Sequence, residues 1–190
     1  MTDNSEPGGL LASMKHIAAL LIKANVRFAL AGSAAVYARG GTFGQHDVDF
    51  VVHVDDVAKA LEAAMEAGLS VERPPEEWLV KVYEQGNLVD LIFRCHDHPV
   101  DDAMLARADI MMVAAVEMPV LSASDLLIAK LLTLSTHHCD FAEPLLMVRV
   151  LREQIDWDLV RTATKNSPYA EAFLLLAKRL DISSTAEERL

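Results

Sequence analysis

The chain has 190 residues, 52% of them hydrophobic and 24% charged, and its formal net charge at pH 7 is -11. This length and composition are typical of a folded globular protein with its own core, and the acidic charge argues against binding nucleic acid through overall charge. The polar start, the short apolar runs and the two cysteines favour a cytoplasmic protein with reduced thiols and no membrane span.

Residues 1–121 are predicted to form a mixed α/β domain. The first nine residues contain polar side chains, Pro and Gly, and we expect a disordered tail over residues 1–9. Apolar spacing and turn residues predict the elements that follow. Helices are expected over residues 10–24, 34–38 and 55–67, and strands over 26–31, 46–54, 69–73, 78–84, 88–94 and 110–121. Gln85-Gly86-Asn87 separates two of these strands and predicts a hairpin.

Residues 122–190 are helical by pattern. The helices are expected over residues 125–134, 141–153, 157–164 and 169–180, before a polar tail. The fold class is therefore predicted to be α+β, with a mixed-sheet core followed by a C-terminal helical bundle.

Three aspartates are the main candidates for chemistry. Asp47 and Asp49 are two residues apart on a strand, so both side chains project from the same face. Asp90 interrupts the apolar strand LVDLIF, where a charge is costly unless it has a partner. If the two strands are neighbours, the three carboxylates form a cluster suited to two magnesium ions, as in phosphoryl and nucleotidyl transfer.

A glycine–serine turn supplies a second signal. Gly32 and Ser33 follow a short apolar strand and precede a helix. Backbone N–H groups and a hydroxyl at such a turn can bind phosphate oxygens, and glycine permits their close approach. Either pattern alone is common, but their order and the later Asp90 together predict a magnesium–nucleotide site.

Other polar residues have simpler interpretations. Zinc-binding residue types occur in His96-x-His98 and His137-His138-Cys139, but loop histidines and a buried cysteine are the favoured interpretation. Lys81 could neutralise a phosphate, although an ordinary half-exposed strand lysine is favoured. His46 either orders the neighbouring Asp47 carboxylate or is a plain loop residue.

The stretch LAGSAAVYARGGTFGQHDVDFVV, with the later LVDLIF, resembles the signature of the polymerase-beta-like nucleotidyltransferase superfamily. That signature is a hydrophobic strand, Gly-Gly or Gly-Ser, a spacer, Asp-hydrophobic-Asp and a later strand aspartate. The stretch VLSASDLLIAKLLTL and the helices after it are similar to a bacterial group of small nucleotidyltransferase-like proteins. The resemblance covers residues from about 26 to 180.

The resemblance implies a role for each matching residue. Asp47 and Asp49 would bind both metals, and Asp90 would bind one metal and help to deprotonate the acceptor. Gly32 and Ser33 would hold the triphosphate. Two further residues match positions in related groups: Lys130 matches a lysine at the nucleotide phosphates, and Asp140 matches a later acidic residue of some relatives.

The implied activity is magnesium-dependent transfer of an NMP group from an NTP to an acceptor hydroxyl. The acceptor could be tRNA, a protein side chain or a small antibiotic-like molecule, and related toxins would imply an antitoxin partner. His46 departs from the small hydroxyl residue that many relatives carry there. Many relatives also have an arginine one or two helical turns after the lysine, where this chain reads LLTLSTHHC. A catalytically weak or inactive nucleotide-binding protein on the same fold is therefore the alternative.

Overall fold

A computed structural model describes residues 7–42, 47–95 and 98–183. Its residues cluster into two compact units. The first contains residues up to Ala38 together with Thr42–Leu121, and the second contains Arg39–Gly41 and the residues from Ser122 onward. Within the described ranges, no helix is long and apolar enough to cross a membrane.

The first unit is a seven-stranded sheet with helices. Its helices are α1 (Pro7–Lys23), α2 (Gly32–Ala38), α3 (Val57–Glu66) and α4 (Asp102–Leu105), with a 3-10 turn at Val54–Asp56. Its main strands are β1 (Phe28–Leu30), β2 (Asp47–Val52), β3 (Ser70–Glu72), β4 (Leu79–Glu84), β5 (Asn87–Ile92), β8 (Asp109–Val113) and β9 (Val116–Val120). Two short strands, β6 (Arg94–Cys95) and β7 (His98–Pro99), pair separately.

The sheet is mixed, as predicted. Its order is β3-β4-β5-β2-β1-β9-β8, in which β2 is parallel to β5 and β1 is parallel to β9, while the other neighbours are antiparallel. Successive side chains of β2 point to opposite faces of the sheet. Val48 and Phe50 are fully buried, and Phe50 packs edge-on against Phe28 at a centroid distance of 5.7 Å. The other face presents Asp47 and Asp49, both half-buried.

The second unit is helical, and the predicted α+β class is confirmed. Its helices are α5 (Ala123–Leu132), α6 (Ala142–Leu151), α7 (Trp157–Ala163) and α8 (Pro168–Arg179), with a 3-10 turn at Arg152–Gln154. Their core includes Phe173, which is fully buried and meets Phe141 edge-on at 5.6 Å. Side-chain oxygens of Ser122, Asp156 and Ser167 cap the starts of α5, α7 and α8.

Several predicted boundaries shift. Residues 7–9 belong to α1, so the expected tail over residues 1–9 is wrong for those three; residues 1–6 lie outside the described residues. The predicted strand over 46–54 ends at Val52, because His53 accepts a hydrogen bond from the Asp55 amide and caps the 3-10 turn. The loop between β4 and β5 contains two residues, because Asn87 already belongs to β5.

Candidate metal and nucleotide site

Strands β2 and β5 bring the three predicted aspartates together. Because these strands are parallel neighbours, Asp49 lies directly opposite Asp90, and Asp47 lies one pleat further along the same face. One oxygen from each carboxylate lies within 4.8 Å of the others. No other group of three or more metal-binding side chains occurs in the ranges 7–42, 47–95 and 98–183.

The donor set fits a hard divalent cation. Magnesium binds carboxylate oxygens and keeps several water ligands, so it needs only part of its coordination shell from protein. Asp47 and Asp49 are half-buried and Asp90 is buried with 8% exposure, so the cluster is held by the sheet but is open to solvent on one side. Three carboxylates this close repel each other, and a divalent cation removes that repulsion.

Burial and neighbouring charges act on Asp90 in opposite directions. Burial, the largest effect, raises the pKa of the Asp90 carboxyl above its ordinary value, and the nearby Asp47 charge raises it further. Lys81 on β4 lies opposite Asp90, and its Nζ is 3.4 Å from Asp90 Oδ1, which lowers that pKa in part. A buried carboxyl with a raised pKa is a better proton acceptor than an exposed aspartate.

The glycine turn lies directly against the cluster. Gly32 opens α2 with a φ of +55°, a conformation that L side chains rarely adopt. A Cβ at this position would lie 1.8 Å from Asp49 Oδ2, so only glycine leaves room for the carboxylate. The Ala31 amide donates a hydrogen bond to the Asp49 carbonyl at 2.8 Å, which fixes the turn to β2. Ser33 follows, half-buried in the first turn of α2.

The other predicted residues fall elsewhere. Lys130 is in α5 of the helical unit, where its Nζ donates to Glu143 Oε1 at 2.6 Å. Asp140 Oδ1 accepts a hydrogen bond from the Ala142 amide at 2.8 Å, which forms a local turn just before α6. His46 and His96 lie outside the described residues. His137 and Cys139 are both exposed, so the expectation of a buried cysteine is wrong for Cys139.

Sequence reasoning missed two contacts of the site. Lys81 is an ion-pair partner of Asp90 and not merely a half-exposed strand lysine. The predicted hairpin gave only part of this signal. The observed two-residue Gln85-Gly86 turn places Lys81 opposite Asp90, whereas the expected three-residue turn would have placed it opposite Leu91. The contact of Gly32 with Asp49 has no signal in the spacing alone.

Known structures with similar folds come from nucleotidyltransferases. The antibiotic-resistance factor ANT(2'')-Ia is 13% identical, over 93% of this chain and 95% of its own, with a TM-score of 0.56. An antigenic nucleotidyltransferase-like protein from Paracoccidioides brasiliensis is 16% identical, over 93% of this chain and 91% of its own, also with a TM-score of 0.56. The lincomycin-bound lincosamide antibiotic adenylyltransferase LnuA is 14% identical, over 74% of this chain and 95% of its own, with a TM-score of 0.54.

A second structure of ANT(2'')-Ia, in complex with adenylyl-2''-tobramycin, is also similar to this chain, with a TM-score of 0.54. No protein-family model matches the sequence, and no curated protein matches it significantly. At these identities the similarity establishes the fold, and it confirms the resemblance inferred from the sequence at that level.

Proposed function

Because the chain has the polymerase-beta-like nucleotidyltransferase fold, we propose that it transfers a nucleoside monophosphate group from an NTP to an acceptor hydroxyl. The observation that carries this proposal is the triad: Asp47, Asp49 and Asp90 offer oxygens within 4.8 Å of one another beside the Gly32 turn. A fold alone does not fix an activity, but this donor set beside a glycine turn at the start of a helix is suited to a metal–nucleotide complex.

Each residue of the site has a distinct part in the proposed reaction. Asp47, Asp49 and Asp90 would hold two magnesium ions, which supply charge neutralisation at the phosphates and lower the pKa of the attacking hydroxyl. Gly32 and Ser33 would hold the triphosphate through backbone N–H groups and the serine hydroxyl.

This arrangement defines which bonds form and break in the proposed reaction and which group accepts the proton. The acceptor oxygen forms a bond to the α-phosphorus, the bond from that phosphorus to the β-phosphate oxygen breaks, and pyrophosphate leaves. Asp90 would accept the proton of the acceptor hydroxyl. Lys130 is proposed to contact the phosphates, which requires its ammonium to exchange Glu143 for the nucleotide.

The acceptor is proposed to be a small hydroxyl-bearing molecule, a tRNA end or a protein side chain. The net charge of -11 disfavours long nucleic acid and favours an acceptor that is neutral or cationic. A toxin that acts on a macromolecule would also have an antitoxin partner, so modification of lysate RNA or protein would point to that class.

The test is label transfer with purified protein. Each α-labelled NTP is incubated with magnesium and with either cell lysate or a panel of hydroxyl-bearing antibiotics, and label is followed in RNA, protein and small molecules. Asp49→Asn should reduce transfer by about a thousandfold or more, because metal and electrostatic contributions dominate such catalysis. Asp158→Asn, an exposed aspartate of α7, is the matched control and should transfer at the normal rate. Equal rates for Asp49→Asn and wild type would refute the assignment.

A protein that binds nucleotide without turnover is the second candidate. It is favoured by the ion pair of Lys130 with Glu143 and by the absence of an arginine in LLTLSTHHC, the one or two turns after Lys130. A magnesium-dependent rise in melting temperature with NTP, without pyrophosphate release in any lysate, would support this candidate over the enzyme.

A further inference from the structure

Lys81 makes a close contact with the third carboxylate of the triad. The antiparallel register of β4 and β5 places Lys81 directly opposite Asp90, with Nζ 3.4 Å from Oδ1. The Lys81 side chain is 26% exposed and that of Asp90 is 11% exposed. A partly exposed strand lysine can extend its ammonium into water. The Lys81 ammonium instead forms an ion pair with the Asp90 carboxylate.

The neighbours of Lys81 strengthen this interpretation. Glu72, Lys81, Asp90 and Asp49 lie in one row across β3, β4, β5 and β2. Glu72, on the other side of Lys81, accepts a hydrogen bond from Tyr83 Oη at 3.1 Å. The Lys81 ammonium thus has a carboxylate on each side in the register, and its ion pair is with the metal-binding one.

We propose that Lys81 is a positioning residue for Asp90 and the internal counter-cation of the triad. It binds Oδ1 of Asp90 and leaves Oδ2 to a metal or to the acceptor proton. Without metal, one positive charge offsets part of the repulsion among three carboxylates. With metal, the same charge opposes the incoming cation. The positioning part of this inference rests on the proposed function, whereas the counter-cation part needs only a metal site.

The Lys81 charge thus stabilises the metal-free protein and weakens metal binding, and this combination distinguishes the proposed role from a merely structural one. Removal of the Lys81 charge should destabilise the metal-free protein and at the same time tighten metal binding. A lysine that only packed against the sheet would, when removed, lower stability without strengthening the binding of a cation. A lysine that bound only phosphate would change neither quantity in the absence of NTP.

The test compares Lys81→Met, Lys81→Arg and Lys23→Met with wild type. Lys23 is an exposed lysine in the last turn of α1, so Lys23→Met removes the same charge away from the row. Melting temperatures are measured in EDTA, and Mn²⁺, as a probe for magnesium, is titrated by calorimetry. Lys81→Met should lower the metal-free melting temperature and tighten Mn²⁺ binding by about tenfold, the effect of one nearby unit charge on a divalent ion in largely hydrated surroundings. Lys81→Arg and Lys23→Met should keep wild-type affinity.

Equal or weaker Mn²⁺ binding by Lys81→Met would overturn the proposal, as would tightening of the same size in Lys23→Met. If Lys81→Met fails to fold, Lys81→Gln, which retains a polar end, is titrated in its place with the same expectation. Where label transfer is measurable, Lys81→Met should lower kcat by about tenfold or more with little change in the KM for NTP, and Lys81→Arg should recover most of it. Failure of the proposed function appears separately, as wild-type protein that binds Mn²⁺ and loses that binding in Asp49→Asn but transfers no label from any NTP.

Discussion

Gly32→Ala is a selective way to dismantle the site while leaving the fold in place. An added Cβ would lie 1.8 Å from Asp49 Oδ2, 2.8 Å from its Cγ and 3.1 Å from its Cβ. The nearest of these atoms is the end of a side chain, which can rotate away. We therefore expect the Asp49 carboxylate to leave the cluster while β2 and α2 keep their positions.

We expect Gly32→Ala to cost little folding free energy and much magnesium affinity. The φ of +55° at Gly32 puts alanine in the left-handed region, which costs about 1–2 kcal/mol of folding free energy. Rotation of Asp49 adds little to this and even relieves repulsion within the cluster. Metal binding suffers far more, because one of three carboxylates is withdrawn, and we expect magnesium affinity to fall by about a hundredfold or more.

Gly68→Ala is the matched control. Gly68 also has a positive φ, +77°, and nothing lies within 4 Å of its added Cβ. Unfolding in urea, with EDTA or with saturating magnesium, gives the stability of both variants and the stabilisation by metal. Both should lose similar stability in EDTA, and only Gly68→Ala should be stabilised by magnesium like wild type.

Two outcomes would refute this reasoning. If Gly32→Ala is stabilised by magnesium as much as Gly68→Ala, the metal does not depend on the observed position of Asp49. If Gly32→Ala loses much more stability in EDTA than Gly68→Ala, the carboxylate cannot rotate away, and Gly32 supports the fold as well as the site.

Two further predictions concern stability. Asp56 accepts hydrogen bonds from Arg27, which lower the pKa of Asp56 from its ordinary value of 3.8 to about 2, so this carboxylate stabilises the folded state above that range. Asp56→Asn should be less stable than wild type at pH 7, and the difference in urea midpoint should vanish as pH falls from about 4 to about 2; a pH-independent difference would contradict the ion pair. In the helical unit, Phe173→Ala should cost about 3–5 kcal/mol of unfolding free energy, because a fully buried ring that packs on Phe141 is lost. A loss below about 1 kcal/mol would contradict that packing.

Much of the site could be predicted from local sequence. The period of a strand places Asp47 and Asp49 on one face and Val48 and Phe50 on the other, and burial confirms this. An aspartate within LVDLIF needs a partner wherever the strand lies, so Asp90 could be identified before its neighbours were known. These inferences depend on residue spacing and on the cost of burying charge, which act locally.

Pairing partners were decided by the tertiary structure. The Gln85-Gly86 turn has φ values of +50° and +85°, and its two-residue length sets the register that joins Lys81 to Asp90. With a three-residue turn, Lys81 would instead lie opposite Leu91. The side chains of Lys81 and Asp90 would then project from opposite faces of the sheet. Turn residues predict that a hairpin exists more readily than they fix its register.

The sequence by itself determined which residues could carry the chemistry: Asp47, Asp49 and Asp90 as oxygen donors, and a glycine turn ahead of them. Only the tertiary structure decided that β2 and β5 are parallel neighbours, and that Gly32 is the residue whose missing side chain makes room for Asp49. It also paired Lys130 with Glu143. The physical reason is that strand order and helix packing depend on contacts between residues far apart in the chain. The sheet face on which a side chain lies, and the charge that it carries, depend only on a few adjacent residues.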